Sequence, residues 1–133
     1  MKKQVITLCD RTYGLHGALD DNLALLANFL TDDLKDFFLD GYRKWIKYSS
    51  QQTVSANRSF LDKHEGMIYI RDLYDDDCGI LEDRFLIISP DNLLAIIDHW
   101  EKLCKTKPAQ ITIVMDDNGY IQLVPSNRVD EKK

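Results

Sequence analysis

Cysteine is scarce in this chain. Cys9, Cys78 and Cys104 are widely separated, and no two have the close spacing of a zinc site. Three is also an odd number, so reduced thiols in a cytoplasmic protein are expected. Any apolar run approaching the ~20 residues of a membrane helix is missing as well. The opening Met-Lys-Lys-Gln-Val-Ile-Thr-Leu-Cys-Asp starts as a signal peptide would, but its apolar stretch stops at once and Asp10 and Arg11 follow. The expectation is a protein that acts in the cytoplasm, where it is made, without membrane association. A basic excess is lacking too: 17 Lys and Arg stand against 22 Asp and Glu, a net charge of -5. Non-specific nucleic-acid binding needs cations to displace the counterions of phosphates, so nucleic acid is not an expected partner. A basic protein partner is compatible with the charge, because opposite potentials speed encounter.

Catalytic motifs are equally sparse. There is no Gly-x-Ser-x-Gly elbow and no phosphate-binding glycine loop. Of the three histidines, His99 sits beside Trp100 on an amphipathic segment and His64 in a turn, and both read as surface or partly packed residues. His16, between Gly14 and Gly17, is the best candidate for a functional histidine. A paired-carboxylate hydrolase has residues enough but no motif. Carboxylates do cluster, yet neither the segment from Asp72 nor Asp116-Asp-Asn-Gly119 follows the ligand pattern of a twelve-residue calcium loop. No metal, no cofactor and no enzymatic activity are expected.

What is present points to one domain. With 133 residues, 44% of them hydrophobic, the chain can bury a single core of ordinary size. Residues 4 to 9 are rich in β-formers and predict a short strand, followed by a loop around Gly14, His16 and Gly17. Leu23, Leu26, Ala27 and Leu30 recur at helical spacing. Thr31 is a candidate N-cap for a second helix, with Asp32 and Asp33 at its positive end and a stripe of Leu34, Phe37, Phe38, Tyr42, Trp45 and Ile46. Residues 49 to 59 predict a connection with room for an edge strand. A strand from Met67 to Leu73 is entered from a turn at Lys63-His-Glu-Gly66, with a partner near Phe60 and Leu61.

Phe85-Leu-Ile-Ile88 has the continuous apolar pattern of a strand in the middle of a sheet. Ser89-Pro-Asp-Asn92 is a strong helix start, and Leu93, Ile96, Ile97, Trp100, Leu103 and Cys104 share one face of the helix it opens. Pro108 stops that helix. Two strands, Ile111–Met115 and Tyr120–Val124, then flank an Asn118-Gly119 hairpin signal in which both residues tolerate positive φ. Strands grouped around separate helices predict an α+β fold, a mainly antiparallel sheet with about three helices packed on it. Residues 1–125 would form this single domain, and 126–133 a polar tail expected to be mobile.

The most distinctive segment is Asp72-Leu-Tyr-Asp-Asp-Asp-Cys-Gly-Ile-Leu-Glu-Asp83. The consecutive carboxylates of Asp75, Asp76 and Asp77 repel one another and lose solvation when buried, so they need water, a cation or a basic partner. Tyr74 and the apolar Leu73, Ile80 and Leu81 lie among them, and tyrosine is enriched at interface hot spots. On local chemistry, Asp72, Tyr74, Asp75, Asp76, Asp77, Glu82 and Asp83 are the candidate partner-binding residues. A plain solvated loop explains the same composition about as well.

Phe85-Leu-Ile-Ile-Ser-Pro-Asp-Asn-Leu-Leu-Ala-Ile-Ile-Asp-His-Trp-Glu-Lys-Leu103, then Lys107-Pro108, Ile111-Thr-Ile113 and Asp117-Asn-Gly-Tyr-Ile-Gln-Leu123, together with Tyr69-Ile-Arg-Asp-Leu-Tyr-Asp-Asp-Asp-Cys-Gly79, resemble the small immunity proteins of bacterial contact-dependent growth inhibition systems. The resemblance covers roughly the C-terminal half, and its strand, capped helix and hairpin are also generic features. It implies an inhibitor that binds the C-terminal toxin domain of a delivered effector and occludes its active site, in many cases the basic cleft of a nuclease. It carries over no contact residue by position. Two further readings stand beside it. One is an adaptor or regulatory domain binding an endogenous basic protein, which would have no toxin gene as neighbour. The other is a small enzyme using His16.

Overall fold

The computed structural model describes residues 2–9, 12–16, 21–34, 39–55, 59–72 and 85–126. Among these are eight strands and three α-helices. In chain order they are β1 (Lys2–Cys9), β2 (Thr12–His16), α1 (Asp21–Asn28), α2 (Leu39–Tyr48), β3 (Thr53–Ser55), β4 (Ser59–His64), β5 (Met67–Asp72), β6 (Leu86–Ile88), α3 (Pro90–Thr106), β7 (Gln110–Met115) and β8 (Ile121–Ser126). All pairing is antiparallel. The class is α+β, and the strands divide between two sheets of four, one ordered β2-β1-β7-β8 and the other β3-β4-β5-β6. The first joins the two ends of the described chain, because β1 pairs with β7 from Lys2↔Met115 to Thr7↔Gln110. The second is a simple meander.

Helix α1 explains why two sheets form one core. Leu23, Ala24, Leu25, Leu26 and Ala27 are all buried, so the helix is apolar all round rather than on one stripe. It contacts β1 and β2 of one sheet and β5 and β6 of the other. Ile6, Ile111, Ile113, Ile121 and Leu123 close the core from the first sheet, and Leu61, Ile68, Ile70, Leu86 and Ile88 from the second. Each fully buried Leu or Ile stabilises by about 1.5–3 kcal/mol relative to exposure. The chain leaves α1 through a π-helical turn, Phe29–Asp33.

Helix α3 begins as its sequence predicts. Ser89 Oγ accepts from the Asn92 N–H at 3.1 Å, with Pro90 in the first turn. It ends on Lys107 in the left-handed region (φ 51°), whose N–H donates to Leu103 O at 2.7 Å. Helix α2 packs on α3 and buries Leu39, Trp45 and Ile46, while Tyr42 meets Phe29 edge-on at 5.2 Å.

Several expectations are corrected. Residues 12–16 are a strand paired with β1, not a loop, and Tyr13 Oη fastens it by donating to Pro108 O at 2.6 Å. Thr31 lies inside the π-helical turn rather than at a helix start, and its hydroxyl donates to Ala27 O, one turn back, at 2.9 Å. Asp32 and Asp33 therefore close the first helical segment rather than open the second, which starts at Leu39; Phe37 and Phe38 lie outside the described residues. Among the described strands β6 is the last of its sheet rather than a middle one, with Leu86 and Ile88 buried and Ile87 exposed. In the last hairpin Gly119 alone takes positive φ (85°), and Gly119 N–H donates to Asp116 O at 3.0 Å, so a longer turn with a left-handed glycine replaces the two-residue turn. Asp116 Oδ1 holds that turn by accepting from the N–H groups of Asn118 and Tyr120. The turn at Glu65 (φ 53°) and Gly66 (φ 82°) is the two-residue kind. β8 runs through Ser126, one residue into the expected tail, and residues 127–133 lie outside the described part.

Candidate partner-binding surface

Strand alternation separates the two faces of the meander sheet. Leu61, Ile70 and Leu86 are aligned across β4, β5 and β6 and point into the core. Their neighbours in sequence point the other way. On that outer face Asp62, Tyr69 and Ile87 form one cross-strand row, and Phe60 stands opposite Arg71 in the next.

Tyr69 stacks on Phe85 with ring centroids 4.9 Å apart and planes at 30°. The Arg71 guanidinium lies over the Phe85 ring, 5.3 Å from its centre. His64 meets Tyr69 edge-on at 5.6 Å. Such ring pairs contribute about 0.5–1.5 kcal/mol beyond the area they bury, and an arginine over a ring about as much at a partly exposed position. Ile87 extends the patch and is 41% exposed. Asp62 closes it on the β3 side, where its carboxylate accepts from Gln52 Nε2 at 2.9 Å.

Of the sequence candidates, Asp72 is the last residue of β5 and pairs with Ser59 along the backbone. Tyr74, Asp75, Asp76, Asp77, Glu82 and Asp83 lie outside the described residues. The chain enters that acidic segment next to Arg71 and leaves it at Phe85, two residues already in contact. His16 is the end of β2, opposite Val5. His99 lines a small groove of about 270 Å3 between α3 and β8, with Tyr120 and Gln122. The three histidines thus lie on different elements.

A second group of charges was not anticipated. Arg43 of α2 donates to Asp40 (2.9 Å), to Asp98 (2.9 Å) and to Glu101 (2.6 Å), which ties α2 to α3. Its hydrogen bond to Glu101 above all, then those to Asp40 and Asp98, push its pKa further up, against the opposing effect of burial. Arg43 therefore stays cationic at every working pH. The group reads as an interhelical clamp on the surface.

Sequence reasoning missed Phe60, Arg71 and Ile87. Their signal was the alternation itself: once Leu61, Ile68 and Ile70 are assigned to the core, Phe60, Tyr69 and Arg71 must share the opposite face. Among the described residues no three His, Cys, Asp or Glu side chains are grouped to hold a metal ion, and no helix is long and apolar enough to cross a membrane. Comparison of the chain with family models, with curated proteins and with solved structures returned no match.

Proposed function

We propose that this protein is a binding protein of the immunity type, which neutralises a cognate toxin domain by covering its active site. One observation carries the reading: the stacked Tyr69, Phe85 and Arg71 on the outer face of the meander sheet stand at both ends of the acidic segment. Tyrosine and arginine are the side chains most often found at interface hot spots, and carboxylates beside them suit a basic partner. In this reading the carboxylates of Asp72, Asp75, Asp76, Asp77, Glu82 and Asp83 steer a basic cleft into place, Tyr74 reaches its apolar centre, and the aromatic face supplies the dry contact that holds it.

A planar aromatic sheet face with an arginine can also stack nucleic-acid bases. Asp62 within the face and a net charge of -5 work against bringing phosphates there. The test is co-purification with the C-terminal domain encoded immediately upstream, together with growth of cells expressing that domain with and without this protein. A tight complex and rescued growth are expected. Neither binding nor rescue would discard the immunity reading and leave the adaptor reading, to be pursued by capture of an endogenous basic protein.

A further inference from the structure

We propose that the open edge of β3 and the groove beside it take up an extended segment of another protein as an added strand, one carrying alternate apolar side chains and a carboxylate. This rests on observations separate from the acidic segment and the immunity reading. The backbone of β3 is oriented by two hydrogen bonds. The Lys63 N–H donates to Gln52 O at 2.9 Å, so Gln52 and Val54 turn their backbone groups toward β4. Thr53 and Ser55 therefore turn theirs to the open side. Trp45 Nε1 donates to Gln51 O at 3.0 Å, and Gln51 has the parity of Thr53, so its carbonyl faces away from β4 as this orientation requires. The sheet ends at β3, and among the described residues no strand covers it.

A shallow, open groove of about 550 Å3 runs beside this edge, lined by Lys44, Trp45, Tyr48, Ser49, Gln51 and Val54. Tyr48 is 79% exposed, the most exposed large apolar side chain among the described residues. Strand addition draws affinity from backbone bonds and specificity from pockets for every second side chain. Val54 points to the inner face, so an added strand would set its own inner-face side chains over Val54, Trp45 and Tyr48. Charge fixes the remaining position. In a chain of net charge -5, the ammonium of Lys44 lines this groove, whereas Lys63 is committed to Trp45 O and Ser49 O. A carboxylate on one inner-face side chain is the complement.

The probe is the acetylated, amidated peptide Val-Thr-Val-Thr-Glu-Thr, titrated into the full-length 15N-labelled protein. Saturable shifts of the Thr53 and Ser55 amides and of the Trp45 indole are expected, about tenfold weaker binding when the peptide Glu is replaced by Lys, and loss of binding when its threonine amides are N-methylated. Thr53→Pro removes an outward N–H that an edge strand can spare, so it should fold and fail to bind. If that variant does not fold, the N-methylated peptide makes the same test from the other side. The proposal is overturned by no saturable shift up to about 1 mM peptide. Binding indifferent to N-methylation would overturn it too. So would concentration-dependent shifts of the same amides without peptide, which would give the edge to a second copy of this chain.

Discussion

The side-chain amide of Asn92 pairs with the backbone of Ile121 as a neighbouring strand would: Nδ2 donates to Ile121 O and Oδ1 accepts from the Ile121 N–H, each at 2.9 Å. Asn92 is 3% exposed and Ile121 1%. The helix start at Ser89 thus places a residue that covers the edge of β8, the last strand of its sheet. Asn92→Ala would leave both backbone groups of Ile121 buried without a partner. A loss of about 2–3 kcal/mol is expected, read as a lower urea midpoint with unchanged slope. A loss below about 0.5 kcal/mol would mean that water enters and replaces the amide.

How much of this was legible in the sequence depends on whether the information was local. Ser89, Pro90 and Asn92 announce a helix start by chemistry within four residues, and the structure has it there. The turn at Glu65 and Gly66, and the strands on either side of it, are likewise local. The division into two sheets is not. It follows from β1 pairing with β7, more than a hundred residues along the chain, and no local pattern in Lys2–Cys9 or Gln110–Met115 names the other. The same holds for Thr31, a good cap by type, whose hydroxyl finds the Ala27 carbonyl instead. The aromatic face was half legible. Tyr69 and Arg71 lie in the stretch that runs into the acidic segment, but Phe85 meets them only because β6 pairs with β5, which the sequence leaves open.

Lys63 makes a different kind of tie. It points to the inner face of the meander sheet, where its Nζ donates to Trp45 O at 2.6 Å and Ser49 O at 2.8 Å and lies 4.5 Å from the Trp45 ring centre. It thereby sets a cation at the C-terminal end of α2, where the helix dipole favours one; Trp45 O already accepts from the Ser49 N–H at 3.3 Å, and the ammonium is its second donor. Lys63→Met keeps the aliphatic stem and removes the charge. The expected cost is about 1–3 kcal/mol, with amide exchange faster in the last turn of α2 than in α3. Equal acceleration in both helices would refute a local role for this cap.

Tyr13 supplies a pH dependence with a definite sign. Burial first, and the neighbouring Cys104 second, raise its pKa above the ordinary tyrosine value of 10.0. The folded state thus favours the neutral phenol, which donates to Pro108 O, more than the unfolded state does. A raised pKa contributes stability that is fully present below the unfolded value and is lost as pH rises through the folded one. Stability should fall in alkaline solution, starting near pH 10, and Tyr13→Phe should flatten that fall while losing about 1 kcal/mol at neutral pH. Chemical denaturation at a series of alkaline pH values checks both; an equally steep fall in Tyr13→Phe would assign the dependence to other groups.

The proposed interface divides into two parts that should fail differently. Carboxylates in water act at a distance and mainly set how fast a basic partner arrives, and salt screens them over about 10 Å at 0.1 M. Stacked rings act only on contact and set how long it stays. Neutralising Asp75, Asp76 and Asp77 together with asparagine should leave folding intact and slow association with the upstream toxin domain, most at low salt. Tyr69→Ser removes the ring that stacks on Phe85 and should speed dissociation with little effect on arrival. Surface plasmon resonance at two salt concentrations separates the two rates. If Tyr69→Ser leaves dissociation unchanged while the triple asparagine variant slows arrival, the partner touches the acidic segment and not the aromatic face. If the triple variant arrives as fast as the parent protein, the carboxylates do not steer, and the face beside them must carry recognition alone.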